Sequence, residues 1–328
     1  MCRLPCRVLL IVAMFALLPC AAAWGQPPVG KKPPARPPVI PESVILERNV
    51  QYGKAGDRPL VLDIVRPKAD SPSPRPAIVF IHGGGWSGGN KESAIGQLIP
   101  YAVQGKYFCA TVEYRLSGEA IWPAQIHDCK AAIRWLKANA KKYNVNAEKI
   151  GVWGGSAGGH LVSMLGVSGG VKELEGSCGS PDQSSRVQCV VDFCGPSDFL
   201  GIAKVKKTGG IRAYGVVSKL LGTAPEDNEA LAKAASPLTY VAKDAAAFLI
   251  VHGTDDNIVP LAQAESLDAA LKRAGADVTF VKIIGGGHGF GGPAVSERVQ
   301  AFLAKHLCGE SVEVSDAPIQ QAPPKAKP

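Results

Sequence analysis

The sequence predicts the α/β class: a mostly parallel central sheet with helices packed on both faces. Three observations lead there. Short, wholly apolar runs, Ala77-Ile78-Val79-Phe80-Ile81 and Ala247-Phe248-Leu249-Ile250-Val251 among them, have the composition of strands buried on both faces. Helical patterns alternate with these runs, and alternation of that kind builds a parallel sheet because parallel neighbours need a helical crossover. Third, the run Ile150-Gly151-Val152-Trp153 passes through Gly154-Gly155-Ser156-Ala157-Gly158 directly into a helix, a tight turn that lifts its central side chain clear of the sheet.

In chain order, residues 1–23 read as a signal peptide. Arg3 and Arg7 precede an apolar run over residues 8–18, and Ala21-Ala22-Ala23 offers small residues for cleavage. That run of eleven residues falls short of the roughly 20 that a spanning helix needs. No stable membrane span is therefore expected after cleavage; an uncleaved anchor is the alternative. Pro19, just before Cys20, argues against a lipoprotein signal. The mature chain is expected to be secreted or periplasmic. Residues 24–44 form a proline-rich linker carrying Lys31, Lys32 and Arg36, an extended tether. Residues 45–308 form one folded domain, and the polar, proline-rich residues 309–328 are expected to be a disordered tail.

Within the domain, the strand over 77–81 feeds His82-Gly83-Gly84-Gly85-Trp86. Residues 125–140 carry helical apolar spacing through Ile126, Ala131, Ile133 and Leu136, and lead to the strand before Ser156. Residues 169–185 are a polar loop with its own Cys178, and residues 199–235 read as a small, irregular helical cap inserted between strands. The strand over 247–251 runs into His252-Gly253-Thr254-Asp255-Asp256-Asn257-Ile258-Val259-Pro260. The next, over 277–283, runs into Gly285-Gly286-Gly287-His288-Gly289-Phe290.

Three serines satisfy G-x-S-x-G: Ser87, Ser156 and Ser168. Ser168 follows a helical stretch and Ser87 lies inside a longer glycine loop. Ser156 alone has a strand before it and a helix directly after, so it is the candidate nucleophile. A serine hydroxyl needs a base, usually a histidine held by a carboxylate. His82 belongs to the glycine loop, His127, His160 and His306 to helices, and His252 ends a strand. His288, on a glycine-flanked loop after the last strand, is the candidate base. The acid follows a strand, and Asp255, Asp256 and Asp198 all do. Attack on a carbonyl also needs donors for the oxyanion. Three glycines after a buried strand let backbone N–H groups approach without a Cβ in the way, so Gly83 and Gly84, joined by Ala157 after the nucleophile, are the candidate donors. Trp86 and Phe290 are the expected substrate contacts.

With these motifs in hand, the chain resembles an α/β-hydrolase of the esterase branch with an HGGGW oxyanion loop. It is most similar to the bifunctional acetylxylan/feruloyl-esterase-like (BD-FAE-like) family over roughly residues 45–308. The stretches 82–86, Glu113-Tyr114-Arg115-Leu116, Pro123-Ala124-Gln125-Ile126-His127-Asp128, 154–158, 252–260 and Gly287-His288-Gly289-Phe290 carry the likeness. The resemblance implies that residues 45–308 are a catalytic domain and that Asp256, four residues after His252, is the acid. It implies that Arg115 and Asp128 brace the oxyanion loop, and that the substrate is an acetyl or feruloyl ester of plant-type polysaccharide. The loop over 169–185 departs from the pattern and is expected to shape the substrate cleft.

The formal net charge of +8 overstates the domain. Arg3 and Arg7 leave with the leader, and Lys31, Lys32 and Arg36 sit in the linker. The acids and bases of residues 311–328 cancel, which leaves +3. No basic stripe interleaved with aromatics appears, so no nucleic-acid partner is expected. No cysteine–histidine spacing suggests a metal site, and no cofactor is expected. Six cysteines remain beyond the leader and allow fifteen full pairings; Cys178–Cys189 is the candidate disulfide, and the alternative is that most of the six are small buried hydrophobes. The expected partner is thus an ester substrate. The residues by themselves specify only a carbonyl ester or an activated amide. Alternatives are a small-ester lipase or esterase, an amidase or peptidase on the same triad, and a hydrolase-fold binding protein without catalysis, against which the complete Ser156, Asp256 and His288 argue.

Overall fold

The strands of the computed structural model, which describes residues 38–205 and 211–321, form one nine-stranded sheet. They are β1 (Val44–Ala55), β2 (Arg58–Pro67), β3 (Arg75–Ile81), β4 (Phe108–Val112), β5 (Val145–Gly155), β6 (Cys189–Phe193), β7 (Ala247–Gly253), β8 (Val278–Ile284) and β9 (Ile319–Gln320). Their order across the sheet is β1-β2-β4-β3-β5-β6-β7-β8-β9. β1 and β2 pair antiparallel, as do β2 and β4; every pairing from β4/β3 to β8/β9 is parallel. β4 and β7 are buried almost end to end, as their apolar runs require of strands covered on both faces.

The helices are α1 (Ile95–Val103), α2 (Ala124–Ala138), α3 (Ala140–Tyr143), α4 (Ala157–Val167), α5 (Lys172–Glu175), α6 (Phe199–Lys204), α7 (Ile211–Leu221), α8 (Glu229–Ala234), α9 (Ala262–Ala274) and α10 (Pro293–Leu303). Two cores result, one on each face of the sheet. Ile95 and Leu98 of α1 and Val299 and Phe302 of α10 pack with Ile78, Val191 and Leu249 on one face. Ile126 and Ile133 of α2, Leu161 of α4 and Leu267 of α9 pack with Val79, Val152 and Phe248 on the other. α6, α7 and α8 form the inserted cap, and Phe199, Val217 and Ala232 tie it to the second core.

Three expectations are corrected. The residues from Pro38 on belong to one compact unit, and Val44 already opens β1, so the linker ends earlier than residue 44. The expected leader, residues 1–23, and most of the linker lie outside the described residues. The tail is not disordered through residue 321. Lys106 pairs with Glu310 at 2.9 Å, Val314 and Ile319 pack on the first core, and β9 extends the sheet beyond β8. Two apolar anchors in a polar segment are enough to hold it on the sheet edge; residues 322–328 lie outside the described residues. Finally, Cys178 and Cys189 are both free. Cys189 is buried in the first core and Cys178 packs against the second, so the sheet separates them. Among the described residues, no helix is long and apolar enough to cross a membrane.

Candidate active site

Ser156 sits at the C-terminal end of β5, with φ 57° and ψ −122°. A non-glycine residue in that region is strained, and the neighbours must hold it there. Its N–H donates to the Phe193 carbonyl at 2.7 Å, and its own carbonyl accepts from His160 N at 3.0 Å. The turn closes because Gly158 lacks a side chain: a Cβ there would run into the carbonyls of Ile81 and His82. α4 begins at Ala157 and points its positive end at the serine.

The loops after β7 and β8 bring the other two groups together. His288 Nδ1 lies 2.8 Å from Asp256 Oδ2, and the Asp256 side chain is fully buried. Asp256 Oδ1 accepts from the backbone N–H groups of Ile258 at 2.8 Å and Val259 at 2.9 Å. Burial works against charge on this carboxyl. Hydrogen bonds from His252, His288, Val259 and Ile258 outweigh it and hold the group well below the usual carboxylate range. The other two acids are elsewhere. Asp255 is exposed and accepts from Thr254 Oγ1; Asp198 precedes α6, its N–H donating to Gln263.

Ser156 and His288 line one cleft of about 490 Å³ together with Gly84, Gly85, Trp86, Pro196, Ala213, Val216, Ile258 and Val259. Its walls, among the described residues, are apolar apart from the serine and the imidazole. Among the described residues, the N–H groups of Gly83, Gly84 and Ala157 donate to no backbone carbonyl. Gly84 has φ +113°, and its carbonyl accepts from Ser87 N and Gly88 N, which curls the loop back on itself. Tyr114 braces the loop from β4: its hydroxyl donates to His82 O at 3.0 Å and its ring stacks on His82 at 4.3 Å. Arg115 and Asp128 form a two-pronged ion pair, with contacts of 2.8 and 2.7 Å, that fixes the segment after Tyr114 onto α2. The Ser117 N–H on that segment donates to Trp86 O at 2.7 Å.

The remaining expectations fare differently. Trp86 touches the cleft but is only 1% exposed, and its indole N–H donates to His160 Nδ1 at 3.2 Å. It acts as a strut under the loop. Phe290 is not among the residues lining the cleft; it packs against Phe193 at 5.2 Å. The 169–185 loop does not shape the cleft either. Glu175 ties it to α2 through Lys130 at 2.8 Å and Arg134 at 2.9 Å, both buried. Ser168 is buried too, its hydroxyl donating to Met164 O at the end of α4.

Sequence reasoning missed His160 and His252. His160 is buried, and its Nε2 donates to Ala235 O at 2.7 Å while Nδ1 accepts from Trp86. Burial lowers its pKa to about 4, so it stays neutral. Its position one helical turn after Ser156 was visible, but not its partners on two distant segments. Cys194, Asp256 and His288 place three potential ligand atoms within 4.8 Å of one another. They fit a proton-handling pair better than a metal. Both Asp256 oxygens already accept hydrogen bonds, and burial pushes the Cys194 thiol far up, which keeps it protonated.

The BD-FAE family model matches residues 62–271. The chain belongs to the BD-FAE family. Its fold is that of the α/β-hydrolases, as the solved relatives show. A carbohydrate esterase from gut microbiota, in truncated form, is 33% identical with a TM-score of 0.74, covering 83% of this chain and 100% of that one. Esterase 2 of Thermogutta terrifontis, phosphoramylated by tabun, is 28% identical with a TM-score of 0.66, covering 83% and 97%. Esterase LipQ of Mycobacterium tuberculosis is 31% identical over 265 residues, 78% of this chain and 61% of its own length. The chain thus spans less than two thirds of that esterase's length.

Proposed function

We propose that this BD-FAE member is a serine carboxylic-ester hydrolase working through an acyl-enzyme. The observation that carries the reading is the 2.8 Å Asp256–His288 hydrogen bond opening onto the cleft where Ser156 stands. Ser156 Oγ attacks the ester carbonyl as His288 takes its proton, and Asp256 orients the imidazole and balances its charge. Gly83, Gly84 and Ala157 donate to the oxyanion. His288 then protonates the leaving alcohol, and water repeats the sequence on the acyl-enzyme. The esterase relatives support this reading, and the organophosphate on the Thermogutta enzyme suits a nucleophile of this kind.

For the natural substrate, we propose an acetyl or feruloyl ester of plant-type polysaccharide, met outside the cytoplasm by an exported chain. The carbohydrate-esterase relative and the leader sequence support it. A second reading, short esters of small alcohols, is favoured by the apolar cleft wall, which among the described residues offers a sugar no side-chain hydrogen bonds beyond Ser156 and His288. Two assays test these readings. A fluorophosphonate probe should label the wild type and not Ser156→Ala, and hydrolysis of p-nitrophenyl acetate should drop by on the order of 10⁴-fold in that variant. Labelling or turnover that survives the substitution overturns the nucleophile. Acetate release from acetylated xylan decides the substrate; release from simple acetates alone favours the second reading.

A further inference from the structure

A second histidine touches the acid. His252, at the penultimate position of β7, is fully buried. Its Nε2 lies 2.9 Å from the Val259 carbonyl oxygen, so that nitrogen must carry the proton. The same Nε2 is 3.3 Å from Asp256 Oδ2, the oxygen that accepts from His288. The other nitrogen, Nδ1, is buried and has no hydrogen-bond partner among the described residues. A buried imidazole with one nitrogen unused is poorly explained by packing alone, since an apolar side chain would fill the space without that penalty.

We propose that His252 is a positioning residue for the acid of the triad. The inference rests on the assignment of Asp256 and His288 made above. One N–H, shared between Val259 O and Asp256 Oδ2, ties both ends of the 256–259 turn to β7 and fixes the carboxylate's rotation. It also divides the charge on Oδ2 between two donors, which moderates how strongly Asp256 draws a proton onto His288. Without His252 the whole of that charge faces His288, the imidazolium is favoured, and more base is lost at a given acid pH. The other titratable groups at this corner are Asp192 on β6, which interacts electrostatically with His252, and the Cys194 thiol, whose Sγ is 3.6 Å from His288 O. Asp192 is held by Ser163 Oγ and Gly195 N, both at 2.9 Å.

The test uses three variants of the full chain. His252→Gln restores an N–H near the Nε2 position; His252→Asn puts one in the wrong place; His252→Phe has none. The acid limb of the kcat/KM profile for p-nitrophenyl acetate should move about half a pH unit or more towards neutral in the Phe and Asn variants. Their kcat should fall roughly tenfold with KM within about twofold. The Gln variant should keep the wild-type limb and most of kcat. The low-field proton resonance of the His288–Asp256 hydrogen bond should shift in the Phe and Asn variants and return in the Gln variant. An unmoved acid limb in folded His252→Phe, or a Gln variant no better than Asn, overturns the proposal and leaves His252 a packing residue. If the Phe variant does not fold, the Gln–Asn comparison decides alone. Failure here is separate from failure of the triad: Ser156→Ala then remains inactive, whereas an active Ser156→Ala removes the triad itself.

Discussion

Asp255 and Asp256 are neighbours with the same chemistry, yet their surroundings give them opposite character. Asp256 is buried and gathers donors on both oxygens; Asp255 faces solvent with a threonine hydroxyl. Replacing Asp256 by Asn puts an amide where only acceptors fit, and kcat/KM should fall by about 10³-fold or more. Asp255→Asn should change it by less than about threefold. Kinetics of both variants on one ester check this, and the reverse order would exchange the two roles. The same contrast explains what was legible at this scale. The candidates Ser156 and His288 were legible through local pattern, a strand–turn–helix and a glycine-flanked loop, and the fold brings both to one cleft. Asp256 needed the family likeness, because burial and donor count are properties of the folded loop. Trp86 and Phe290 look like substrate aromatics in sequence; packing shows Trp86 at the cleft wall but buried and hydrogen-bonded to His160, and Phe290 away from the cleft against Phe193.

At the level of elements, α4 joins three parts of the site. Its first residue offers the Ala157 N–H, and His160 one turn on links the glycine loop, through Trp86, to Ala235 at the end of α8. That link needs a neutral imidazole. The folded-state pKa is about 4, below the ordinary 6.5, so the native state binds fewer protons in between. The stability it contributes is complete above about pH 6.5 and is lost as pH falls towards 4. His160→Gln should be less stable at neutral pH, with its deficit narrowing by on the order of 3 kcal/mol across that window. Urea unfolding of both proteins at several pH values measures it; a constant deficit would contradict it. The cap over 199–235 was legible because helical patterns between strands have nowhere else to go. The fate of the 169–185 loop was not, since Glu175 finds Lys130 and Arg134 some forty residues away in sequence.

At the scale of the whole fold, the described residues rest on two cores and hold no covalent staple. All six cysteines of the described residues are free, and a disulfide would persist only in an oxidising compartment. Thermal unfolding and turnover should therefore be the same with and without dithiothreitol. A fall in Tm on reduction, expected from the roughly 2–5 kcal/mol a native disulfide typically contributes, would show that a bridge forms. Strand composition and alternation gave away the parallel sheet, but β9 was invisible. Two residues in a polar, proline-containing tail have no periodicity, and they join the sheet only because β8 leaves an edge beside them.

The cleft has a division of labour between its walls. The proposed reacting groups stand after the ends of β5, β7 and β8 and on the loop after β3, whereas Ala213 and Val216 come from α7 of the inserted cap. Val216 also rests on the glycine loop, its Cγ1 only 3.1 Å from where a Gly85 Cβ would stand. Part of the cleft wall thus lies on a stretch of chain that carries none of the proposed reacting groups, so exchange of that one short helix gives evolution, or a directed library, a way to reshape the entrance while Ser156, Asp256 and His288 stay as they are.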